Sequence, residues 1–356
     1  MGMKIIHTAD IHIGSALKGL PSDKSALRKA EILDGFRRLC AYAKKEAVSA
    51  VLIAGDLFDG KNAPRHIRRE VFSAIASASP VRFFYALGNH DGELDWTDEL
   101  PKNLFTFSQS RGFQSYELGE GICITGIDGR GFSDGAFSSL TLLPENYNIV
   151  LLHGDINGEI PLPRLQNRFI DYLALGHIHK PTVKSERLDR RGVYRYCGCL
   201  EGRGFDEIGD RGFFLLEIKD GALLQEKFLS FATRKTVEVR VDISACNSYF
   251  EVENAVLQSL NGVSEKNLVK IVLFGRYKAG LRKDIPLLTA RLSERFFCVR
   301  TEDESRILLN AQEFVNDLTE RGEFVREAGR YEMNADFLSE VLEVGLKALS
   351  GEEIDL

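Results

Sequence analysis

Apolar residues along the first two thirds of the chain follow two alternating rhythms. Short unbroken runs at Lys4–Thr8, Val48–Ala54 and Val81–Leu87 predict strands. The second is apolar throughout, as expected of a strand covered on both faces. Between them, Leu33, Phe36, Cys40, Ala43 and Ala47 recur every three or four positions, as do Ile67, Val71, Ile75 and Ala78. Each set marks the inward stripe of a helix. This alternation predicts a parallel or mixed sheet flanked by helices. From Phe113 onward strands dominate, at Gly121–Ile127, Asn148–Leu152, Tyr172–Leu175, Val193–Cys197, Phe213–Ile218 and Leu223–Leu229. The expected architecture is α/β: two mixed sheets packed as a β-sandwich, with helices mainly outside.

Thr233–Thr236 reads as a linker. Beyond it a fresh alternation begins: strand Val237–Val241, helix about Tyr249–Leu260, strand Val269–Phe274, helix about Ile285–Leu292 and strand Phe297–Arg300. The expected organisation is a main domain over 1–231, a small α/β domain over 236–332 and a tail over 333–356. Asn334–Leu349 carries Phe337, Val341, Val344 and Ala348 on one face, with Leu338, Leu342 and Leu349 beside it, which predicts an amphipathic helix.

The candidate chemistry lies where apolar runs end. Five of the seven histidines fall in short polar clusters that directly follow such runs. The clusters are Asp10-Ile11-His12, Gly55-Asp56-Leu57-Phe58-Asp59, Gly88-Asn89-His90-Asp91, His153-Gly154-Asp155 and Gly176-His177-Ile178-His179. Taken singly, each could be a turn or a packed strand end; the specific signal is all five, each after a strand. Loops at strand C-termini are where α/β folds place their sites. In extended backbone, residues i and i+2 share a face, so Asp10 pairs with His12 and His177 with His179, while Ile11 and Ile178 turn away. Gly55, Gly88 and Gly176 precede candidate donors where backbone must turn or approach closely. Two carboxylates, one amide and four imidazoles are too nitrogen-rich for calcium or magnesium and suit manganese, iron or zinc. They are also too many for one ion, so two are expected. His7 lies within the first strand and reads as a satisfied core residue, and His66 as exposed.

Composition narrows the setting. Hydrophobic residues make up 44% and charged residues 28% of the chain, which excludes wholesale disorder. No apolar run approaches the length needed to span a bilayer, so no membrane role is expected. The opening Met1–Ile6 runs straight into a strand pattern rather than a signal peptide. Cys40, Cys123, Cys197, Cys199, Cys246 and Cys298 form no CxxC pair, which speaks against a zinc ribbon or disulfide framework and for reduced thiols in a cytoplasmic protein. Residues 1–230 hold 29 basic and 30 acidic side chains. No basic tail announces nucleic acid, although Arg65, Arg68 and Arg69, or Arg187, Arg190 and Arg191, could form a local basic groove.

The order of the five clusters resembles that of the calcineurin-like metallophosphoesterases, over about residues 4–230. Ile6–Gly14, Val51–Asp59, Tyr172–Pro181, Tyr196-Cys197-Gly198, Gly202-Arg203 and Gly209–Phe213 are further similar to SbcD-type DNA repair nuclease subunits and their YhaO-like bacterial relatives. Residues 231–356 match that subgroup only in layout. The resemblance implies that Asp56 bridges two ions, that Asp10, His12 and His179 complete one site, and that Asn89, His153 and His177 complete the other. It implies that His90 binds neither ion and faces the scissile phosphate. Asp59 is a departure, since the nuclease relatives often carry His there; Asp59 and Asp91 are expected to steady ligands. Arg203 is the candidate phosphate contact. The implied activity is manganese-dependent exonuclease or endonuclease action on DNA, in repair, with a coiled-coil ATPase of the SbcC type bound through the tail helix; a homodimer is left open. A small-molecule or nucleotide phosphodiesterase and an architectural DNA-end tether remain the alternatives.

Overall fold

The structure is a computed structural model that describes residues 2–17, 19–60, 63–91, 100–108, 111–130, 135–278, 281–308 and 317–349. The chain divides into two compact units, Met1–Thr236 and Val237–Leu356.

In the first unit, apolar runs become strands of two six-stranded sheets. One contains β1 (Met3–Thr8), β2 (Ala50–Ala54), β3 (Arg82–Ala86), β4 (Leu104–Thr106), β11 (Gly212–Lys219) and β12 (Ala222–Ser230), in the order β12-β11-β1-β2-β3-β4. β1 to β4 run parallel, and β11 and β12 close the other side antiparallel. The second contains β5 (Gln114–Gly119), β6 (Ile122–Gly126), β7 (Tyr147–His153), β8 (Tyr172–Gly176), β9 (Glu186–Arg187) and β10 (Val193–Tyr196), in the order β5-β6-β7-β8-β10-β9. Its centre, β6-β7-β8-β10, is parallel.

Alternate residues of the two sheets meet in one core that joins Ile5, Leu52, Phe84 and Leu216 to Ile124, Ile149, Leu151 and Tyr172. Burying each such side chain contributes about 1.5–3 kcal/mol. His7 sits in this core. It bonds the Tyr172 hydroxyl through Nδ1 (3.0 Å) and faces the Leu175 carbonyl through Nε2 (3.2 Å), which satisfies it. Burial holds its pKa down at about 3.

Helix α1 (Ser22–Lys45) packs outside the first sheet, where Tyr42 meets Phe213 of β11, and α2 (Arg65–Ser77) buries Val71, Phe72 and Ile75. α1 begins well before its apolar stripe, because an inward position of its early turns is filled by the buried Arg28. Ala47, assigned to that stripe, lies beyond the helix with φ +52°. Outside the second sheet, Val150, Leu152, Leu173 and Leu175 pack with Phe137, Leu140, Ile160 and Leu165, the last on the single-turn helix α3 (Leu162–Leu165). Thr233–Thr236 is no free linker: its two ends are hydrogen-bonded to residues 201–209, Thr233 to Glu201 and Thr236 to Gly204 and Gly209.

The second unit has a three-stranded sheet of β13 (Thr236–Asp242), β14 (Leu268–Phe274) and β16 (Cys298–Asp303), and a small pair, β15 (Arg276–Lys278) with β17 (Arg306–Leu308). Helices α4 (Tyr249–Ser259) and α5 (Ile285–Ser293) share the core of the larger sheet. The tail forms helix α7 (Ala335–Leu349), packed on α6 (Glu320–Ala328) through Leu338, Leu342 and Leu346. Of the apolar face marked in the sequence, Phe337, Val344 and Ala348 are exposed, as is Leu349, while Leu338 and Leu342 beside it turn to α6. The reason is that a second apolar stripe, four residues apart, fits the α6 surface; residues 350–356 lie outside the described chain. All six cysteines are thiols. No helix among the described residues is long and apolar enough to cross a membrane.

Candidate metal centre

β1, β2, β3, β7 and β8 each end at one of the five polar clusters, and the loops after them interlock. The amide of Asp10 donates to the Gly55 carbonyl (3.1 Å), that of His12 to the Asp56 carbonyl (2.9 Å), and that of Asp59 to the Ile13 carbonyl (3.0 Å). Across the sandwich, the amide of His177 donates to both carboxylate oxygens of Asp10 (3.0 Å each). Asp10, His12, Asp56 and His177 all have left-handed backbone, with φ of +50°, +50°, +51° and +102°. That conformation costs an L-residue about 1–2 kcal/mol, and such strain gathers where side chains must be aimed. Close approach also needs glycine: a Cβ on Gly55 would lie 2.1 Å from His153 Nδ1, and one on Gly88 2.2 Å from Asp56 Oδ1.

Two donor groups share Asp10, and a third, of His12, Asp59 and His90, stands beside them. Ligand atoms of Asp10, His12 and His179 lie within 4.8 Å of one another, and so do those of Asp10, Asp56 and His153. In the first group, His12 Nε2 stands 3.1 Å from His179 Nε2, a spacing two imidazole lone pairs tolerate only around a proton or a cation. His12 Nδ1 is buried without a hydrogen-bond partner. In the second, His153 Nδ1 donates to the Ala54 carbonyl (2.8 Å), which turns Nε2 toward Asn89 Oδ1 at 3.0 Å. Asp56 Oδ2 faces both groups, 3.6 Å from His12 Nε2 and 3.3 Å from His153 Nε2. The His177 ring meets His153 edge-on, with centroids 5.4 Å apart. This set of imidazoles, carboxylates and an amide oxygen fits two borderline divalent ions.

Burial pushes the Asp10 carboxyl up, against the pull of His153 and His179. Burial, joined by Arg203, holds His12 down at about 2. At His153, burial is outweighed by Asp56 and Asp10, and the pKa rises to about 9. For Asp56, burial is likewise outweighed, by His153 and His12, and the carboxyl falls to about 2. Asp10 and His153 thus hold their protons more tightly than usual, while His12 and Asp56 give theirs up.

His90 is set apart. Its amide donates to Asp56 Oδ1 (2.8 Å), while its half-exposed ring bonds Asp59 Oδ1 through Nδ1 (3.0 Å). Asp91 turns inward and accepts from the amides of Asp56 (2.9 Å), Phe58 (2.8 Å) and Gly88 (2.7 Å). Its burial, with Asp56 nearby, raises its pKa to about 7.

A model of the family described as calcineurin-like phosphoesterase matches residues 3–181, half of the chain. The chain belongs to this family. The metallophosphoesterase YhaO of Bacillus subtilis is 30% identical over 251 residues, covering 63% of this chain and 59% of that protein. The DNA double-strand break repair protein Mre11 of Methanopyrus kandleri is 25% identical over 289 residues, covering 68% and 60%. The SbcD component of the nuclease SbcCD of Staphylococcus epidermidis is 23% identical over 309 residues, covering 70% and 78%. The first two matches span about three fifths of those relatives' own lengths.

Within this metallophosphoesterase, sequence reasoning missed Glu207. His179 Nδ1 donates to Glu207 Oε1 (2.7 Å), and Arg203 donates to the same carboxylate from Nε (3.1 Å) and from its backbone amide (2.6 Å). Burial would raise Glu207, but His179 and Arg203 bring it to about 2. Arg203 Nη2 lies 2.9 Å from His179 Nδ1, so the candidate phosphate contact stands beside a donor. Glu207 falls in irregular chain 28 positions from its partner, where no periodicity marks it. Ile178, expected to turn away from the donors, is 37% exposed. Arg191 binds Asp171 and the carbonyls of Pro144 and Asn146, ahead of the strands β8 and β10 and thus at the edge opposite the centre. Arg65–Arg69 opens α2, which follows the Asp56–Asp59 loop on the same edge as the donors.

Proposed function

We propose that this metallophosphoesterase is a two-ion phosphodiesterase that cuts DNA, with manganese as its metal and the cytoplasm as its setting. The carrying observation is Asp56 Oδ2, which faces donors of both groups and is therefore assigned as the bridge. Asp10, His12 and His179 would hold one ion, and Asn89, His153 and His177 the other. Held there, two such ions would supply positive charge to a phosphodiester and lower the pKa of a water at the site. The chain's own residues do the rest. His90 stands beside the donors with its Nδ1 fixed by Asp59, so its Nε2 is free to pass a proton to the leaving oxygen, worth ~10²–10⁴-fold. Arg203 meets a phosphate oxygen. The products are a phosphate monoester and a free hydroxyl.

Relatives named as break-repair and nuclease proteins support DNA as the substrate. The assay is the purified chain with Mn²⁺ and, separately, labelled linear duplex, single strand and a small phosphodiester. Hydrolysis of DNA that EDTA abolishes, with Mg²⁺ a poor substitute, is expected. Cleavage of the small diester alone would leave a small-molecule phosphodiesterase, a reading favoured by the near-neutral balance of residues 1–230 and by Arg191 facing the far edge. An SbcC-type ATPase is the proposed partner, and the exposed Phe337 and Val344 of α7 its landing face. Glu at both positions should abolish association and spare hydrolysis; retained association removes that face.

A further inference from the structure

A buried ionic cluster lies behind the metal centre and takes no part in holding its donors directly. Its hub is Glu201, fully buried, as is Arg28 of α1. Glu201 Oε2 accepts from Arg28 Nη2 (2.9 Å). Its Oε1 accepts from Arg38 Nη2 (2.9 Å), from the amide of Thr233 (2.9 Å) and from the Thr233 hydroxyl (2.8 Å). Arg28 also donates to the carbonyl of Gly202 and to Glu31 (2.6 Å), and Glu31 accepts in turn from Arg234 (2.7 Å). α1 is notched to admit the hub: a Cβ on Gly35 would stand 2.8 Å from Glu201 Oε1.

For stability alone, well-packed apolar groups would serve as well as a buried ion cluster. What the cluster adds is direction. Glu201 is the root of the loop that two residues later presents Arg203 and then Glu207 to His179. The opposite side of the same loop is gripped by the strap Thr233–Thr236, from which the chain enters the second unit. Thr236 donates from its hydroxyl to the Gly204 carbonyl (2.9 Å) and accepts at its own carbonyl from the Gly209 amide (2.9 Å). The loop is thus pinned by α1 at its root and by the strap at both ends, with its free edge against His179.

We propose that Glu201 is a positioning residue of the metal centre: it locks the Arg203–Glu207 loop onto His179 and, through the strap, makes the setting of His179 depend on how residues 233–236 are seated. This rests on the reading of His179 as an ion ligand. The affinity of one ion is then adjustable from a point that touches neither ion.

The test is Mn²⁺ binding to the ion-stripped full chain, read by calorimetry, alongside thermal unfolding and hydrolysis of a small phosphodiester. Wild type should bind two ions. Glu201→Gln should weaken one of them by ~10–100-fold, the range for residues that orient a ligand, leave the other unchanged and lower kcat more than KM. Should Glu201→Gln not fold, Gly35→Ala decides. Its methyl group crowds the pinned carboxylate, so the same ion should bind more weakly while the other is unchanged, a difference between the two ions that a general loss of stability would not produce. Replacing Thr233 and Thr236 together by Val should weaken that ion several-fold. Wild-type affinity for both ions in Gly35→Ala, or in a folded Glu201→Gln, overturns the positioning role. Unchanged affinity in the double threonine variant overturns the part given to the strap. A wild-type chain that binds no Mn²⁺ overturns the reading of the centre, and this inference with it.

Discussion

The two sides of the metal centre hold their histidines by different means. His153 is the last residue of a strand, and its ring is fixed by a backbone carbonyl, that of Ala54, with Gly55 leaving room for it. His179 lies beyond a strand, and its ring is fixed by a side chain, Glu207, which Arg203 steadies in turn. Backbone support depends on the fold and on little else. Side-chain support can be lost or retuned by one substitution. The His153 side should therefore resist mutation, and the His179 side should respond to it.

The largest effect should come where the two sides meet. Asp56→Asn should weaken both ions together and lower turnover beyond the ~10⁴-fold upper end for a single acid or base. Metal analysis of that variant showing one fully occupied site would break the shared role of Asp56. Next, His90→Ala should keep both ions and lose ~10²–10⁴-fold in turnover; loss of metal from a sound fold would make His90 a ligand. Glu207→Gln isolates the difference between the sides. It should cost ~10–100-fold in affinity for one ion only, and equal weakening of both would erase the contrast.

Beneath the centre, His7 serves neither side, and its effect falls on stability rather than on ion binding or turnover. Its folded pKa of about 3 lies below its ordinary 6.5. Above pH 6.5 both folded and unfolded states are neutral at this residue, and stability is complete. As pH falls toward 3 the unfolded chain gains a proton that the folded chain refuses. Stability is then lost at about 1.4 kcal/mol per pH unit. Denaturation of ion-free protein between about pH 6.5 and 5 should show a shallower slope in His7→Gln than in wild type; equal slopes would mean that His7 is not the group responsible.

Much of this was legible in sequence because donors and strands announce each other. Asp10, Asp56, Asn89, His153 and His177 each follow an apolar run whose end fixes their place in space. Asp128-Gly129-Arg130, after β6, obeys the same rule and escaped notice because it offers no imidazole; Gly129 donates to the Leu87 carbonyl (2.8 Å), and Asp128 clasps Arg130 (2.7 Å). Glu201 and Arg28 were hidden for the opposite reason. Charged residues are normally exposed, and neither periodicity nor spacing says which ones will pair in the interior. In α7 the pattern gave the helix but not the face, because two apolar stripes competed and only the surface of α6 chose between them.

Asp91 has a consequence for how the protein opens. One carboxylate grips the amides of Asp56, Phe58 and Gly88, on loops that follow different strands. None of the three protons can exchange with solvent while that grip holds. The two loops cannot fray one at a time, and their amide exchange should follow a single shared opening rather than separate local ones. The floor of the centre then behaves as one rivet: it is either closed or lost as a whole.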